Sequence, residues 1–219
     1  MSVATIRVLI IFIFLLAQSV SMYSQSAGED WNFVNEDEGI SVYTRHNELS
    51  AIKEIRIILT VETTMEDITE LLANVPLYAD WVYKCDDSFL LKHVSEEEFH
   101  YYITMDFPFP FWDRDLAVHS KHWIDPENGA YHSHSVTSTD SSYTNEEFVH
   151  ITEFESHWHI TPVGNGQLSI DYTALSNPGG DIPIWLVNMA ITKGPLETMR
   201  RFARQVEIEK KKKSLSNNP

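Results

Sequence analysis

Histidine pairs are the feature of this sequence whose residue type and spacing could most directly do chemistry. His132 and His134, and again His157 and His159, are separated by one residue. On a β-strand this spacing places both imidazoles of a pair on one face, where they could share a zinc ion. Because Trp158 and its apolar neighbours take the opposite parity, we expect the second pair to face solvent. With no cysteine beside these histidines and no helical His-Glu-x-x-His motif, the sequence predicts no metal site.

Arg114 lies between two acids in the stretch DFPFPFWDRDLAV, residues 106–118. It shares strand parity with Leu116 and Val118, so its side chain points to the apolar side and the flanking acids point away. A charge on an apolar face must be paired or solvated, because a bare buried charge is strongly destabilising. Two interpretations stay open. The pattern favours a buried structural pair with an acid from another strand over a grip on a ligand's headgroup.

Pro108 and Pro110 stiffen the aromatic segment just before Arg114. Proline fixes φ and lacks an N–H, so the segment is held extended and out of a central sheet ladder. We therefore expect a stiff apolar loop at the edge of a sheet.

Catalytic motifs are not evident. Serines, histidines and acids are plentiful, yet the sequence has no nucleophile elbow and no cofactor-binding loop. Cys85 is the only cysteine, which excludes an intrachain disulfide, and we expect it to be a small buried hydrophobe. The sequence predicts neither a catalytic residue nor a cofactor.

The N-terminal residues 1–26 have the pattern of a secretory signal peptide. One basic residue, Arg7, precedes an apolar run that is shorter than the roughly 20 residues of a membrane span. We predict export to the periplasm or the outside, with a bacterial source favoured by the short leader and the lone cysteine. An uncleaved anchor is the alternative. The predicted domain covers residues 27–210, followed by a disordered tail, residues 211–219.

The formal net charge is −16. Such a surface repels nucleic acid, whose binding depends on neutralising phosphates, and it is not drawn to anionic bilayers by charge. We expect a monomer without a nucleic-acid partner.

Alternating hydrophobicity predicts a series of antiparallel strands from Trp31 onward. These are Ile40–Arg45, Ile52–Val61, Asp87–Val94, Glu98–Phe107, Arg114–Ile124, Ala130–Thr137, Glu146–Ile160 and Gln167–Leu175.

Two segments have helical spacing instead. Thr63–Ala73 has a threonine N-cap and ends before Pro76. Ile182–Lys212 carries an apolar stripe at steps of three and four, with Pro195 expected to kink it. Strands followed by a long terminal helix predict an α+β fold with the helix laid across the sheet.

Two motifs at these positions resemble the START family, the steroidogenic-acute-regulatory-related lipid-transfer domains. The first is PFP-x-x-x-RD at residues 108–115, and the second is NPGG-x-IP-x-WL-x-N at residues 177–188. The likeness is closest to the phosphatidylcholine-transfer branch. It implies a helix-grip fold, in which a curved antiparallel sheet wraps around the C-terminal helix and encloses an apolar tunnel for one lipid.

The resemblance also implies where a ligand would lie, and one departure bears on its class. Sterol-carrying members have a cavity arginine and an acidic partner where this sequence has Ser120 and Tyr101, so a phospholipid-like ligand is favoured over a sterol. The candidate ligand-binding residues are Arg114, Tyr101, Trp158, Tyr172, Trp185, Met189 and Met199.

The function predicted from this resemblance is the binding, and transfer, of a hydrophobic small molecule or lipid, with transient membrane contact. Two alternatives stay open: a cyclase- or hydrolase-like enzyme of the same superfamily, and a partner-binding domain whose cavity is filled. A histidine and a carboxyl group in contact inside the cavity would favour the enzyme.

Overall fold

The computed structural model describes residues 31–47, 50–140, 143 and 145–216. The predicted signal peptide lies outside the described residues. The strands are β1 (Asn32–Asp37), β2 (Ile40–His46), β3 (Lys53–Glu62), β4 (Cys85–Ser95), β5 (Glu98–Met105), β6 (Arg114–Ile124), β7 (Tyr131–Thr137), β8 (Val149–His150), β9 (Glu153–Gly164) and β10 (Gln167–Asn177). The helices are α1 (Met65–Ala73), α2 (Tyr78–Trp81), α3 (Ile184–Ala190) and α4 (Lys193–Ser216), with a 3-10 turn at Val75–Leu77.

All the described strands form one curved sheet. Its order is β1-β2-β3-β10-β9-β7-β6-β5-β4, and β8 pairs with β6. Neighbours along this path are antiparallel, whereas β8 runs parallel to β6. The long helix α4 packs on the inner face of the sheet, as the predicted α+β helix-grip fold requires.

Side-chain alternation determines which residues of each strand face the core. On β3, Ile55, Ile57, Leu59 and Val61 are all buried, while the residues between them are partly or fully exposed. Burying each such side chain stabilises the fold by about 1.5–3 kcal/mol. This burial pattern agrees with the alternating hydrophobicity from which the strand was predicted. The edge strand β1, whose residues are mostly exposed, was not predicted.

Helix α1 begins where the sequence predicted. Thr64 is its N-cap, and the Thr64 hydroxyl accepts a hydrogen bond from the backbone N–H of Asp67 at 3.2 Å. Asp67 also places a carboxylate in the first turn, where the helix dipole favours negative charge. The helix ends at Ala73, before Pro76, which lies in the 3-10 turn that follows.

The predicted helix Ile182–Lys212 is two helices rather than one kinked helix. Pro195 lies in the first turn of α4. It has no N–H to donate to the carbonyl of Ile191, and its ring would clash with that carbonyl, so α3 cannot continue into α4. The apolar stripe is buried in α4 at Leu196, Met199, Phe202 and Val206, but α3 has no buried residue.

The C-terminal boundary predicted at residue 210 also needs correction. Helix α4 continues through Ser216, so residues 211–216 are helical and not a disordered tail. Lys213 holds this end in place, with Nζ 2.6 Å from a carboxylate oxygen of Asp67 and 2.7 Å from one of Glu70 on α1. None of the described helices combines the length and apolar character needed to cross a bilayer.

Candidate ligand cavity

A cavity of about 270 Å³ lies between the inner face of the sheet and helices α2 and α4. Strands β5, β6, β7, β9 and β10 supply its floor and walls. No charged side chain, histidine or carboxylate is among the lining residues in the described part of the chain. The cavity therefore presents apolar surface and neutral hydroxyl groups to a ligand.

Aromatic rings form one wall of the cavity. Trp81 of α2 packs edge-on against Tyr78, with ring centroids 4.9 Å apart, and lies 6.4 Å from Trp158 of β9. Tyr101 of β5 lies 5.3 Å from Tyr78, and Tyr172 of β10 lies 4.8 Å from Trp158. These edge-on and tilted contacts keep the rings fixed around the space that they enclose.

A row of small side chains explains why this part of the sheet is hollow. Ser120 of β6, Ser135 of β7, Ser156 of β9 and Ala174 of β10 are paired in register across four adjacent strands, and all line the cavity. The three serines are buried, and the Ser135 hydroxyl donates to the Ser120 hydroxyl at 2.9 Å. Larger apolar residues along this row would fill the space that the serines leave open.

Trp81 carries an unused hydrogen-bond donor at the cavity. Its side chain is only 3% exposed, and Nε1 has no acceptor within the described part of the chain. A buried N–H without an acceptor costs about 1–3 kcal/mol, so it calls for an explanation. Trp81 itself is one of the residues that line the cavity.

The tyrosine hydroxyls of the cavity remain neutral. Burial raises the pKa of Tyr172 to about 12 and raises the pKa of Tyr101 and of Tyr131 further still. The Tyr78 hydroxyl donates to the backbone carbonyl of Leu72 at 2.5 Å. The cavity therefore offers phenol groups that can donate or accept hydrogen bonds without carrying charge.

Arg114 does not line the cavity, although its side chain is 1% exposed. Its Nε donates to the carbonyl of Pro178 at 3.1 Å and its Nη2 to that of Gly179 at 3.2 Å. Its Nη1 donates to the carbonyl of Trp112, and the guanidinium lies 4.3 Å from the centre of the Phe107 ring. The partners are thus backbone carbonyls, and not the acid predicted from the sequence. Desolvation lowers the pKa of Arg114.

This cluster joins the proline-containing loop to the connection between β10 and α3. Gly180 lies so close to the guanidinium that a Cβ built there would approach Nη2 to 3.1 Å, and its φ is +67°. Both the space and the backbone conformation therefore require glycine at this position. Arg114 positions the two segments that the sequence motifs identified.

Trp185 and Met189 also lie outside the cavity. They are 68% and 67% exposed on α3, and Phe109 in the proline-containing loop is 98% exposed. The α3 side chain of Asn188 accepts from the backbone N–H of Lys53 at 2.9 Å and donates to the carbonyl of Ala51 at 3.1 Å. These two bonds hold α3 against the connection between β2 and β3.

Four of the seven predicted ligand-binding residues are brought together at the cavity: Tyr101, Trp158, Tyr172 and Met199. Trp81 and the three serines were not among the candidates. Ser135 could have been found from its parity, because it alternates with the histidines of β7 and so must face inward. Trp81 lies in a short helix that gives no comparable periodic signal.

Comparison with known proteins places this geometry in a family. The START domain matches residues 15–212. An uncharacterized protein of Pseudomonas aeruginosa is 26% identical over 85% of this chain and 91% of its own length. Human phosphatidylcholine transfer protein is 25% identical over 85% of this chain and 88% of its own length.

A solved structure agrees in fold. The STAR-related lipid transfer protein from Xanthomonas axonopodis superposes with a TM-score of 0.75, at 24% identity, over 81% of this chain and 98% of that one. The sheet, the grip of the terminal helix and the two motifs thus agree with the sequence match. This chain belongs to the START domain family.

Proposed function

We propose that this chain binds one lipid in the cavity, shields it from water and carries it between membranes. The observation that supports the proposal most directly is a neutral cavity of about 270 Å³, far larger than an ordinary packing defect. Burial of apolar ligand surface, at about 25 cal/mol per Å², would drive binding. The cavity also argues against a partner-binding domain with a filled interior.

The proposed ligand is a net-neutral phospholipid and not a sterol. Aromatic rings such as those of Trp81 and Trp158 attract a quaternary ammonium group, which a zwitterionic headgroup carries. Phosphate or ester oxygens would accept from the Trp81 N–H and from the serine hydroxyls. An anionic headgroup would find no countercharge in the described lining. The phosphatidylcholine-transfer relatives agree with this choice.

A two-chain lipid requires more space than the cavity now has. Ligand pockets typically measure about 300–1,000 Å³, and this one, at about 270 Å³, is slightly smaller than that range. Uptake would therefore displace α3, which has no buried residue and is hydrogen-bonded through Asn188 to the start of β3, or the proline-containing loop. The transfer step is then coupled to movement of these segments.

Contact with a membrane would be made by the same segments. Phe109, Trp112, Ile184, Trp185 and Met189 are exposed apolar residues. The net charge of −16 gives no attraction to anionic lipid, so the contact depends on inserting these side chains at the bilayer interface. We propose a transient contact by a monomer.

Export is part of the proposal. A START domain that is exported and then cleaved from its signal peptide would move lipid in the periplasm or outside the cell. The N-terminal sequence of the protein recovered from the exported fraction would test this, and a chain that retained Met1 would contradict cleavage.

Native mass spectrometry of the mature chain, residues 27–219, tests the function. The chain would be purified from a lipid-rich host, and bound material extracted into organic solvent. Ser135→Leu fills the cavity floor, whereas Ser169→Leu makes the same change on the outer face of β10. We expect a one-to-one phospholipid adduct in the wild type and in Ser169→Leu, and none in Ser135→Leu.

Two results would contradict the proposal. One is a bare wild-type protein that also fails to take up fluorescent phosphatidylcholine from vesicles. The other is an adduct that survives Ser135→Leu, because the ligand would then lie elsewhere. A sterol in the extract would preserve lipid binding but overturn the phospholipid class.

A further inference from the structure

The outer face of the sheet carries two cross-strand histidine pairs, on the opposite side from the cavity. In the antiparallel register of β7 and β9, His134 lies opposite His157 and His132 lies opposite His159. The rings of the first pair stack with centroids 4.4 Å apart and planes 4° apart, and those of the second stack at 4.6 Å and 15°. Each histidine therefore stacks on a histidine of the neighbouring strand and not on the histidine two residues away in its own strand.

Glu155 completes the first pair. It precedes His157 by two residues on the same face of β9. Its Oε1 lies 2.8 Å from Nε2 of His134 and 3.2 Å from Nε2 of His157. The three possible ligand atoms all lie within 4.8 Å of one another. One carboxylate oxygen of Glu155 is thus hydrogen-bonded to Nε2 of both histidines.

These separations are close to those of a tetrahedral metal site. Zinc bonds nitrogen and oxygen at about 2.0–2.2 Å, which places neighbouring ligand atoms about 3.3 Å apart. The nitrogen–oxygen distances need to open by about half an ångström or less. Because the two rings are stacked and nearly parallel, each must tilt until its in-plane lone pair points at the ion. The side chains of His134, Glu155 and His157 are 41%, 54% and 52% exposed, so solvent leaves room for this movement.

We propose that His134, Glu155 and His157 bind one divalent transition-metal ion of the zinc and copper class. Imidazole and carboxylate ligands suit these ions, and three protein ligands leave one coordination position for water. The metal would replace the protons through which the imidazoles now donate to Glu155. The proposal stands independently of lipid binding, because none of the three residues lines the cavity.

The surroundings of the site favour a cation. Glu155 supplies the carboxylate of the site, with its Oε1 between the two Nε2 atoms. Lys121 lies opposite His134 on β6, but its ammonium group pairs with Glu98 at 3.4 Å. Next to His157 on the other side, β10 presents the uncharged Thr173.

The second histidine pair provides an internal control. His132 and His159 form the same cross-strand stack, but the described residues place no carboxylate with them as a third ligand. Asp171 lies opposite His159 on β10, but it is ion-paired with Arg56, so the two pairs differ chiefly in the carboxylate of Glu155. Position 132 can be changed without removing any of the three proposed ligands.

Zinc titration by calorimetry tests the site. The untagged mature chain, residues 27–219, would be stripped with chelator and titrated with Zn²⁺ alone. We expect one ion per chain, affinity lowered by about tenfold or more in Glu155→Gln, and loss of the site in His157→Ala. His132→Ala should bind as the wild type does. Circular dichroism would confirm that each variant is folded.

Three results would overturn the proposal. The wild type could fail to bind Zn²⁺ at millimolar concentration. His157→Ala could bind as tightly as the wild type, which would place the ion elsewhere. Finally, His132→Ala could weaken binding as much as His157→Ala does, which would assign the ion to a mixed histidine cluster and remove the role of Glu155.

Discussion

The two faces of strand β7 differ in almost every chemical respect. Facing inward, Ser133 and Ser135 are buried and line a neutral cavity. Facing outward, His132 and His134 are partly exposed and stack on histidines of β9. Small neutral groups inside leave room for a ligand, whereas titratable groups outside can bind an ion. A register slip of one residue would exchange the two sets, so the pairing of β7 with its neighbours determines both properties.

The largest predicted effect is a difference in stability between variants of two arginines, Arg114 on the inner face of the sheet and Arg56 on the outer face. Arg114 is buried and donates to three backbone carbonyls, whereas Arg56 forms an ion pair with Asp171 on the partly exposed outer face. We expect Arg114→Met to lower the free energy of unfolding by about 3–5 kcal/mol, because it leaves buried acceptors without donors. Arg56→Met should lower it by about 1 kcal/mol or less. Urea unfolding of both variants would measure the difference, and equal losses would contradict it.

A second comparison uses tryptophans on the two faces. Trp81→Phe removes a buried N–H that has no acceptor within the described residues, so the free energy of unfolding should change by less than about 1 kcal/mol. Lipid affinity should fall by about three- to tenfold, because the ligand loses one hydrogen bond. Trp123→Phe, on the outer face, should change neither quantity. Fluorescent-lipid titration would measure the affinities, and an unchanged affinity in Trp81→Phe would exclude this hydrogen bond.

A smaller effect is expected at the exposed residues. Trp185→Ser on α3 should change the free energy of unfolding by no more than about 0.5 kcal/mol, because the side chain is mostly exposed. It should nevertheless reduce association with zwitterionic vesicles by about threefold or more, since Trp anchors at the bilayer interface. Trp123→Ser, an exposed tryptophan on the sheet, is the matched control. Equal loss of vesicle binding in both variants, measured by sedimentation, would argue against docking by α3.

The smallest effect concerns an ion pair at the surface. The hydrogen bond from Lys213 lowers the pKa of Asp67 from 3.8. A carboxylate with a depressed folded-state pKa stabilises the fold above its unfolded value and loses this contribution as pH falls through the folded value. Lys213→Met should therefore be slightly less stable than the wild type at pH 7, because an exposed ion pair is screened by solvent. The difference should shrink as pH falls from 3.8 through the lower folded-state pKa of Asp67, and a gap that stays constant from pH 7 to pH 2 would contradict this cause.

Much of the fold could be predicted because it depends on local alternation and on motifs. The inward face of β3, the cap at Thr64 and the cavity positions of Tyr101 and Trp158 all follow from parity or from the family resemblance. The histidine pairing could not be predicted, because parity gives the face of a strand and not its partner. Only the register shows that His134 meets His157 and not His132.

The ligand cavity was predicted less completely, because local patterns do not show how one segment packs against another. Trp185 and Met189 continue the apolar spacing of the C-terminal segment, so periodicity alone could not show that α3 turns away from the core. The break at Pro195 changes which surface those side chains meet. The pairing of Arg114 with carbonyls was also beyond the sequence, since a buried guanidinium is satisfied equally by acids or by backbone oxygens.

The two hydrogen bonds of Asn188 act as a latch that holds α3 against the connection between β2 and β3. To swing away from the β2–β3 connection, α3 must release the carbonyl of Ala51 and the N–H of Lys53. Two such bonds amount to about 1–3 kcal/mol, which corresponds to an unlatched population of about one molecule in six to about one in 160. In the lipid carrier proposed above, such a latch would keep α3 closed while the protein is in water, and a few contacts with a bilayer would open it.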